Sequence, residues 1–330
     1  MRAVLVGQFG KADQLEILTV NDAVPGERAA LVEVAYSGVN FVDVYQREGR
    51  YPGLRLPWQL GIEGSGIVRE VARNCDWKVG DRVAFCTGIQ GAYAELVSVP
   101  TDNLVRVPEA SSLQTAAALL DHGLTALMLC EDVARIKAGT SAVVHAAAGG
   151  VGGILVQLLK ARGVRVLGVV SSAAKAAWLE SRSVEVIRSD VDPGWYRQVE
   201  DLTEARGVDA VFDSVGAATV QSSLASLQQC GHLVLFGAAS GPVSAVCISD
   251  LMAKSLTLSR PVLPHYLRDS AVLKQRAAKL FSAVASGSIE LRIHQVLPLA
   301  QVREAHLLLE SRLTQGKVLL AVNPSLESCK

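Results

Sequence analysis

The stretch from His145 to Gly153, HAAAGGVGG, sets small residues at a spacing suited to close contact with an anion. The frame G-x-G-x-x-G falls on Ala147, Gly149 and Gly152, so alanine holds its first position. The frame follows a run that reads as a strand and opens one that reads as a helix, the context in which such glycines bind a dinucleotide. Gly149 is expected to let the backbone approach a pyrophosphate, and Gly152 to let the helix pack closely on the strand. The phosphate is expected at the helix N-terminus, where unpaired N–H groups and the dipole favour negative charge. The same glycines would also serve a tight strand-to-helix turn that binds nothing.

An NAD site places an acid about 20 residues beyond the glycines to hold the ribose 2′-hydroxyl. Here the second strand ends in Val169-Val170-Ser171-Ser172, Lys175 follows, and Arg188 comes after the third strand. With no carboxylate read at the ribose, hydroxyls and cations can hold a 2′-phosphate instead, each charge-assisted bond contributing roughly 1.5–3 kcal/mol. The expected cofactor is therefore NADPH, although Lys175 by itself also reads as a solvated helix residue.

These residues need a scaffold, and the chain changes texture to provide one. Up to about residue 100 it reads as β-rich, with short runs at Arg2 to Val6, Ala30 to Tyr36, Gly66 to Val71, Arg82 to Phe85 and Ala92 to Val97 between turn residues. From about 112 a long helical pattern begins, with serine at its N-cap. Strands at 141–146, 164–170, 184–187, 209–213 and 232–236 then alternate with helices at 152–162, 173–181, about 195–206 and 217–228, which predicts a parallel sheet covered on both faces. A helix at 269–286, a β-like piece at 290–297, a helix at 300–311 and a last strand at 317–322 close the chain.

The length of 330 residues suits two domains. The 32 acidic and 32 basic residues cancel, so no broad field draws the chain to nucleic acid or anionic lipid. The N-terminal apolar run is too short for a signal segment and no later stretch is read as a membrane span, so the chain reads as soluble and cytoplasmic. The six cysteines, Cys75, Cys86, Cys130, Cys230, Cys247 and Cys329, form no CxxC pair, which argues against a disulfide framework or a thiolate zinc knot and for buried reduced thiols.

Several segments together resemble one family. GVNFVDVYQREGRYP (Gly38 to Pro52), LGIEGSGIV (Leu60 to Val68), HAAAGGVGG, VFDSVG (Val211 to Gly216), FGAASG (Phe236 to Gly241), SRP (Ser259 to Pro261) and ESRLTQGK (Glu310 to Lys317) are similar to the NADPH:quinone oxidoreductases. These are zeta-crystallin-like members of the medium-chain dehydrogenase/reductase superfamily, and the segments occur in order over nearly the whole chain. The resemblance implies an α/β fold: a Rossmann doubly wound parallel sheet plus a GroES-like β-rich substrate domain. It implies residues 1–120 for the first part of the substrate domain, 121–262 for the NADP-binding domain and 263–330 for the part that completes the former. A homodimer joined at an edge of the Rossmann sheet, near Val243 to Arg260, is implied too.

In zinc-dependent relatives a cysteine and a GHE histidine bind the catalytic metal; the corresponding places here hold Asn40 and Ile62, while Glu63 remains. Asparagine and isoleucine do not supply the ligands zinc requires, so the resemblance implies metal-free chemistry on acceptors already activated toward hydride, quinones and enones. Cofactor contacts are implied for Asn40, Tyr45, Thr125, Gly150, Val151, Ser171, Ser172, Lys175, Phe236, Gly237, Ala238 and Arg312, beside Gly149, Gly152 and Arg188. A family tyrosine after the third strand is replaced by Ser189. Hydride transfer at ~3–3.5 Å needs positioning and a donor to the developing oxyanion. Asn40, Tyr45 and His122 are the candidates, against a turn-capping amide, an aromatic packed at the site wall and a structural histidine. His145, Asp43 and Glu63 read as structural. The rival functions are an ene or enoyl reductase and a non-catalytic NADPH-binding structural or RNA-associated protein.

Overall fold

The computed structural model describes residues 1–72, 75–86, 88–192 and 194–328. It divides into two compact units, Met1–Leu124 with Leu267–Lys330, and Thr125–Tyr266.

The first unit begins with β1 (Arg2–Val6), β2 (Leu15–Thr19), β3 (Ala29–Val39), α1 (Phe41–Arg47), β4 (Trp58–Gln59), β5 (Glu63–Val71), β6 (Arg82–Cys86), β7 (Leu96–Pro100), β8 (Leu104–Arg106) and α2 (Leu113–Leu127). α2 crosses the division between the units, which is why composition shifts at about 112 while the compact units part at 124. Ser112 Oγ accepts from Thr115 N–H at 2.9 Å, the cap read from the sequence.

The second unit is built from β9 (Ser141–His145), α3 (Gly150–Ala161), β10 (Arg165–Val170), α4 (Ala173–Glu180), β11 (Glu185–Arg188), α5 (Tyr196–Leu202), β12 (Val208–Asp213), α6 (Val220–Ala225), β13 (Leu227–Leu235), α7 (Ile248–Met252) and β14 (Thr257–Ser259). Its strands form one parallel sheet in the order β11-β10-β9-β12-β13-β14. That is the doubly wound order, and it puts the reversal of strand order between β9 and β12, where ligands bind in such folds. The core beneath it gathers Val143, Leu167, Ile187, Val211 and Leu233 from five strands, with Trp195 and Leu224 from the flanking helical segments.

The chain then returns to the first unit as α8 (Ser270–Ala285), β15 (Ile293–Pro298), α9 (Val302–Glu310) and β16 (Lys317–Ala321). The main sheet of that unit runs β15-β16-β3-β5-β6-β8, with β7 paired to β3, and β2-β1-β4 form a smaller sheet. Lys317, Asn40 and Glu63 thereby fall at one end of three adjacent strands, β16, β3 and β5. Arg47 pins α1 in place: fully buried, it donates to both Glu310 carboxylate oxygens at 2.9 Å, to Gly10 O at 3.0 Å and to His306 Nδ1 at 3.1 Å. Buried cations persist only when paired in this way.

Three features add to the sequence reading or depart from it. Leu113–Val133, 21 residues of mean hydropathy 1.2 including a π-helical segment at Met128–Val133, is long and apolar enough to cross a membrane. Most of it is buried inside the protein, so it is a core helix. Cys86 and Cys130 are buried as expected, but Cys230 and Cys247 are exposed, and Cys329 lies outside the described residues. FVDVYQR, read only as part of a motif, is the helix α1.

Candidate active site

In the second unit, β9 ends at His145 and Ala146 turns the chain with φ +48°. Gly149 is the N-cap of α3, in extended backbone at φ −79° and ψ −175°, and its N–H donates to Ala146 O at 2.8 Å. Gly150, Val151 and Gly152 make the first turn, whose N–H groups have no carbonyl one turn back to bond. A Cβ on Gly152 would collide with the Ala146 carbonyl and lie 3.0 Å from Ala147 Cα. The close helix-on-strand approach expected at that position is therefore present, while buried Ala147 fills the first place of the frame without strain. Free amides, a dipole end and a bare backbone face fit a pyrophosphate.

Beside this turn β10 leads to Ser171 and Ser172. Ser172 Oγ caps α4 by accepting from Lys175 N–H at 3.3 Å, and Lys175 Nζ reaches Ser171 Oγ at 3.5 Å. Burial lowers the Lys175 pKa, since an ammonium there loses water. Arg188, at the end of β11, pairs with Val170 in the sheet, yet its guanidinium fork is held by Asp190 at 2.7 and 2.6 Å. A carboxylate thus stands near this edge after all, paired with the cation that the sequence reading placed there.

The loops after β12 and β13 are organised by one side chain that the sequence reading passed over. Asp213, fully buried, accepts from the Val215 and Gly216 N–H groups at 2.8 and 3.1 Å, from Thr219 Oγ1 at 2.7 Å and from Ser223 Oγ at 2.7 Å. Phe236 N–H donates to Asp213 O at 2.8 Å, and a Cβ on Gly237 would meet Ser214 backbone, so Phe236, Gly237 and Ala238 lie against the Ser214 loop. His145 Nε2 sits 3.0 Å from Ser223 Oγ, its ring edge-on to Trp195, and burial lowers its pKa. It serves the network as a neutral structural residue.

The first unit holds a buried polar cluster. Asn40 is the N-cap of α1, and its backbone N–H donates to Asp43 Oδ2 at 2.9 Å. Its side-chain oxygen accepts from Lys317 Nζ at 2.7 Å, and its amide nitrogen donates to Glu63 Oε1 at 2.7 Å. Because an ammonium only donates and a carboxylate only accepts, the amide orientation is fixed. Lys317 also forms an ion pair with Glu63, both side chains being buried, and Nζ lies 3.3 Å from His122 Nε2. Glu63 Oε2 accepts from Asp121 N–H at 3.2 Å. Gly38 makes room: a Cβ there would lie 2.6 Å from Lys317 Cε. Lys317 was legible only as the end of a family motif, and no spacing rule announces a lysine buried at the first residue of a strand.

Tyr45 packs between Phe41 and Tyr51, with ring centroids at 6.1 and 6.4 Å, under the Arg50 guanidinium at 5.1 Å. Thr125 lies one turn beyond His122 on α2. Arg312, exposed, follows α9 with φ +60° and belongs to the first unit, not to the unit of the glycine turn. Among the described residues no group of three or more His, Cys, Asp or Glu is placed to hold a metal ion. Asn40 and half-buried Ile62 do not suit zinc, and the cation beside Asn40 and Glu63 is Lys317 itself.

Burial sets the protonation of this cluster. Desolvation pushes Asp43 up to about 7 against its bonds from Tyr93 and Asn40, and its Oδ1 has no partner among the described residues. Asp121 also rises to about 7, by burial and then by repulsion from Glu63. His122 falls well below the ordinary imidazole value, by burial first and by the Lys317 charge second. A carboxyl raised in the folded state stabilises the fold while protonated. Asp43 therefore contributes fully below its ordinary 3.8, and loses that contribution as pH climbs through about 7. Between about pH 5 and about pH 8 the urea midpoint of the wild type is expected to fall further than that of Asp43→Asn, which mimics the protonated acid. Parallel pH profiles would contradict the assignment.

Comparison with known proteins gives the family. Residues 26–109 match the family described as the alcohol dehydrogenase GroES-like domain, and residues 150–282 the family described as zinc-binding dehydrogenase. A probable quinone oxidoreductase of Schizosaccharomyces pombe is 38% identical over 98% of both chains. The chain belongs to the zinc-independent quinone oxidoreductase family of the medium-chain dehydrogenases/reductases. Among solved structures, Escherichia coli quinone oxidoreductase complexed with NADPH superposes with TM-score 0.94 at 35% identity, over 98% of this chain and 100% of that one. A mycobacterial protein complexed with NADPH gives TM-score 0.93 at 39% identity, over 98% and 100%.

Proposed function

We propose that this protein reduces quinones, with NADPH as the electron donor and no metal. The observation that carries the reading is near full-length similarity to quinone oxidoreductases, two neighbours being NADPH complexes, in a chain whose glycine turn fits a pyrophosphate. When bound, NADPH supplies a hydride from its nicotinamide ring. The protein's own part is to hold and orient. Gly149, Gly150, Val151 and Gly152 take the pyrophosphate, Ser171, Ser172 and Lys175 the 2′-phosphate, and Phe236, Gly237 and Ala238 the nicotinamide side, with Thr125 and Arg312 as further contacts. The Asn40 amide, the Tyr45 hydroxyl and the His122 imidazole are the donors to the oxygen that gains charge. An electrophile already conjugated needs no Lewis acid, which accords with Lys317 standing beside Asn40 and Glu63.

Lys175→Ala is expected to weaken NADPH by roughly 10- to 100-fold, the worth of one charge-assisted bond, and to leave NADH within about threefold. Equal losses in a fluorescence titration would remove Lys175 from the 2′-phosphate. The functional reading is tested by NADPH consumption with a simple quinone and with a conjugated enoyl thioester, side by side and with chelator present. Quinone reduction supports it; thioester reduction with an idle quinone replaces it by an ene reductase.

The same reading includes a cytoplasmic homodimer with no nucleic-acid or membrane partner. Balanced charge supports the absence of nucleic acid. β14 is the outermost strand of the parallel sheet, and nearby Ile248 and Met252 on α7 are both exposed at 75%, which supports a second copy pairing at that edge. Sedimentation of the wild type and of Met252→Lys tests this, a monomeric wild type being the contrary result.

A further inference from the structure

We propose that Lys317 is a positioning residue, the internal cation that fixes His122 as the tautomer carrying its hydrogen on Nδ1 and so presents that hydrogen to the acceptor's oxygen. The inference deepens the quinone reductase reading and rests on it for the acceptor, though not for the tautomer.

The argument starts from donor and acceptor capacity. A lysine ammonium has three hydrogens and no lone pair, so each neighbour within bonding distance must accept. Lys317 Nζ has three such neighbours, Asn40 Oδ1 at 2.7 Å, Glu63 Oε1 and His122 Nε2 at 3.3 Å, one for each hydrogen. His122 Nε2 must then be the ring nitrogen with the lone pair. Burial and the Lys317 charge hold the imidazole neutral, so its one hydrogen sits on Nδ1. Nδ1 is shielded from solvent and has no partner among the described residues. A buried N–H without an acceptor is unfavourable, and an oxygen atom of a bound ligand would satisfy it.

The groups facing Lys317 explain why it stays where it is. Glu63 from β5 is its counter-ion, Asn40 precedes α1, Asp121 and His122 come from α2, and Asp43 lies close enough to feel its charge. Gly38, the second-to-last residue of β3, leaves the space that the Lys317 stem occupies. The lysine is thus clamped on a rigid sheet, and it transmits that rigidity to two side chains at once: the Asn40 amide is oriented by Lys317 and Glu63, and the His122 ring by Lys317.

The test reads the tautomer directly. Protein labelled with ¹⁵N-histidine gives long-range ¹⁵N–¹H correlations for its six histidines, with His122 assigned by its loss in His122→Gln. A pyrrole-type Nδ1 and a pyridine-type Nε2 are expected in the wild type; the reverse assignment, or an imidazolium, overturns the proposal. Lys317→Met, which keeps the stem and removes the donor, is expected to shift the two nitrogens toward a common average and to lower kcat for quinone at least tenfold. The same substitution in a His122→Ala background is expected to cost at least threefold less than in the wild type. Losses that simply multiply would show that Lys317 does not act through His122, and overturn the proposal. Should the protein leave quinones untouched while the tautomer and its dependence on Lys317 hold, the functional reading falls and the tautomer assignment stands.

Discussion

Gly149→Val is expected to weaken NADPH by about 100-fold or more, on the order of 3 kcal/mol, while the protein remains folded. The N-cap backbone at φ −79° suits any residue, so no conformational strain follows. A Cβ meets the Ala146 carbonyl oxygen at 3.0 Å, a contact relieved by a shift of a few tenths of an ångström. What the side chain removes is access: its methyl groups stand beside the first turn of α3, where the Gly150 and Val151 amides would meet a pyrophosphate. Gly152→Val is expected to behave differently. Its Cβ would strike the Ala146 carbonyl and crowd Ala147 Cα at 3.0 Å, both backbone atoms that have no rotamer to escape into. Overpacking of that kind costs on the order of 3 kcal/mol or more, so the second unit loses stability before its affinity can be read. Circular dichroism melts and NADPH fluorescence titrations separate the two outcomes. Unchanged affinity in Gly149→Val would remove the phosphate assignment, and an undisturbed melt in Gly152→Val would contradict the close packing of α3 on β9.

The second large effect lies in the other unit. Glu63→Ala is expected to destabilise the protein by about 3–5 kcal/mol, because it leaves the Lys317 ammonium buried without its counter-ion. Lys317 and Glu63 are 1% and 0% exposed, so water offers no substitute. The substitution also strips the acceptor from the Asn40 amide nitrogen and from Asp121 N–H. Asp121 and Asp43, both raised to about 7, supply part of the missing charge by ionising more readily once Glu63 is gone, which places the loss toward the lower end of the range near neutral pH. Replacing both partners, as in Glu63→Leu with Lys317→Met, is expected to recover much of the stability, since a buried pair exchanged for apolar volume is often neutral. Urea denaturation of the three variants checks this. A loss below about 1 kcal/mol for Glu63→Ala would mean that the pair is solvated in solution.

How much of this was legible beforehand depended on how far apart the cooperating residues lie in the chain. The glycine turn, the alternation of strands and helices and the serine cap at residue 112 are local patterns, and the structure has them within a few residues of the expected places. Errors appeared where neighbouring elements compete. The helix expected over 217–228 is cut to Val220–Ala225 because β13 already starts at Leu227, and the strand expected at Ala92–Val97 pairs instead at Leu96–Pro100. FVDVYQR is rich in β-branched and aromatic residues, yet it is a helix because Asp43 holds the Asn40 N–H at its start and Arg47 is locked at its end. Edge pieces of two or three residues, β4, β8 and β14, carry too little pattern to be seen.

The polar cluster was the least legible part. Asn40, Glu63 and His122 were each singled out, but what joins them is Lys317, which lies 277, 254 and 195 residues away from them in the sequence. Such a contact is decided by sheet order, β16 beside β3 beside β5, and no single-sequence rule encodes it. Arg188 shows a local contact the sequence reading left out: Asp190, two residues on, holds two of its guanidinium N–H groups.

The central claim is that this chain directs hydride from NADPH to a quinone with its own side chains and no metal. A single-turnover experiment addresses it: protein stripped with chelator and freed of it is mixed with stoichiometric NADPH and excess quinone, and the loss of NADPH absorbance is followed in stopped flow. The same rate before stripping, after stripping and after adding back zinc is the predicted result. A rate that collapses on stripping and returns with zinc would contradict it, and would require metal ligands that Asn40 and Ile62 do not provide.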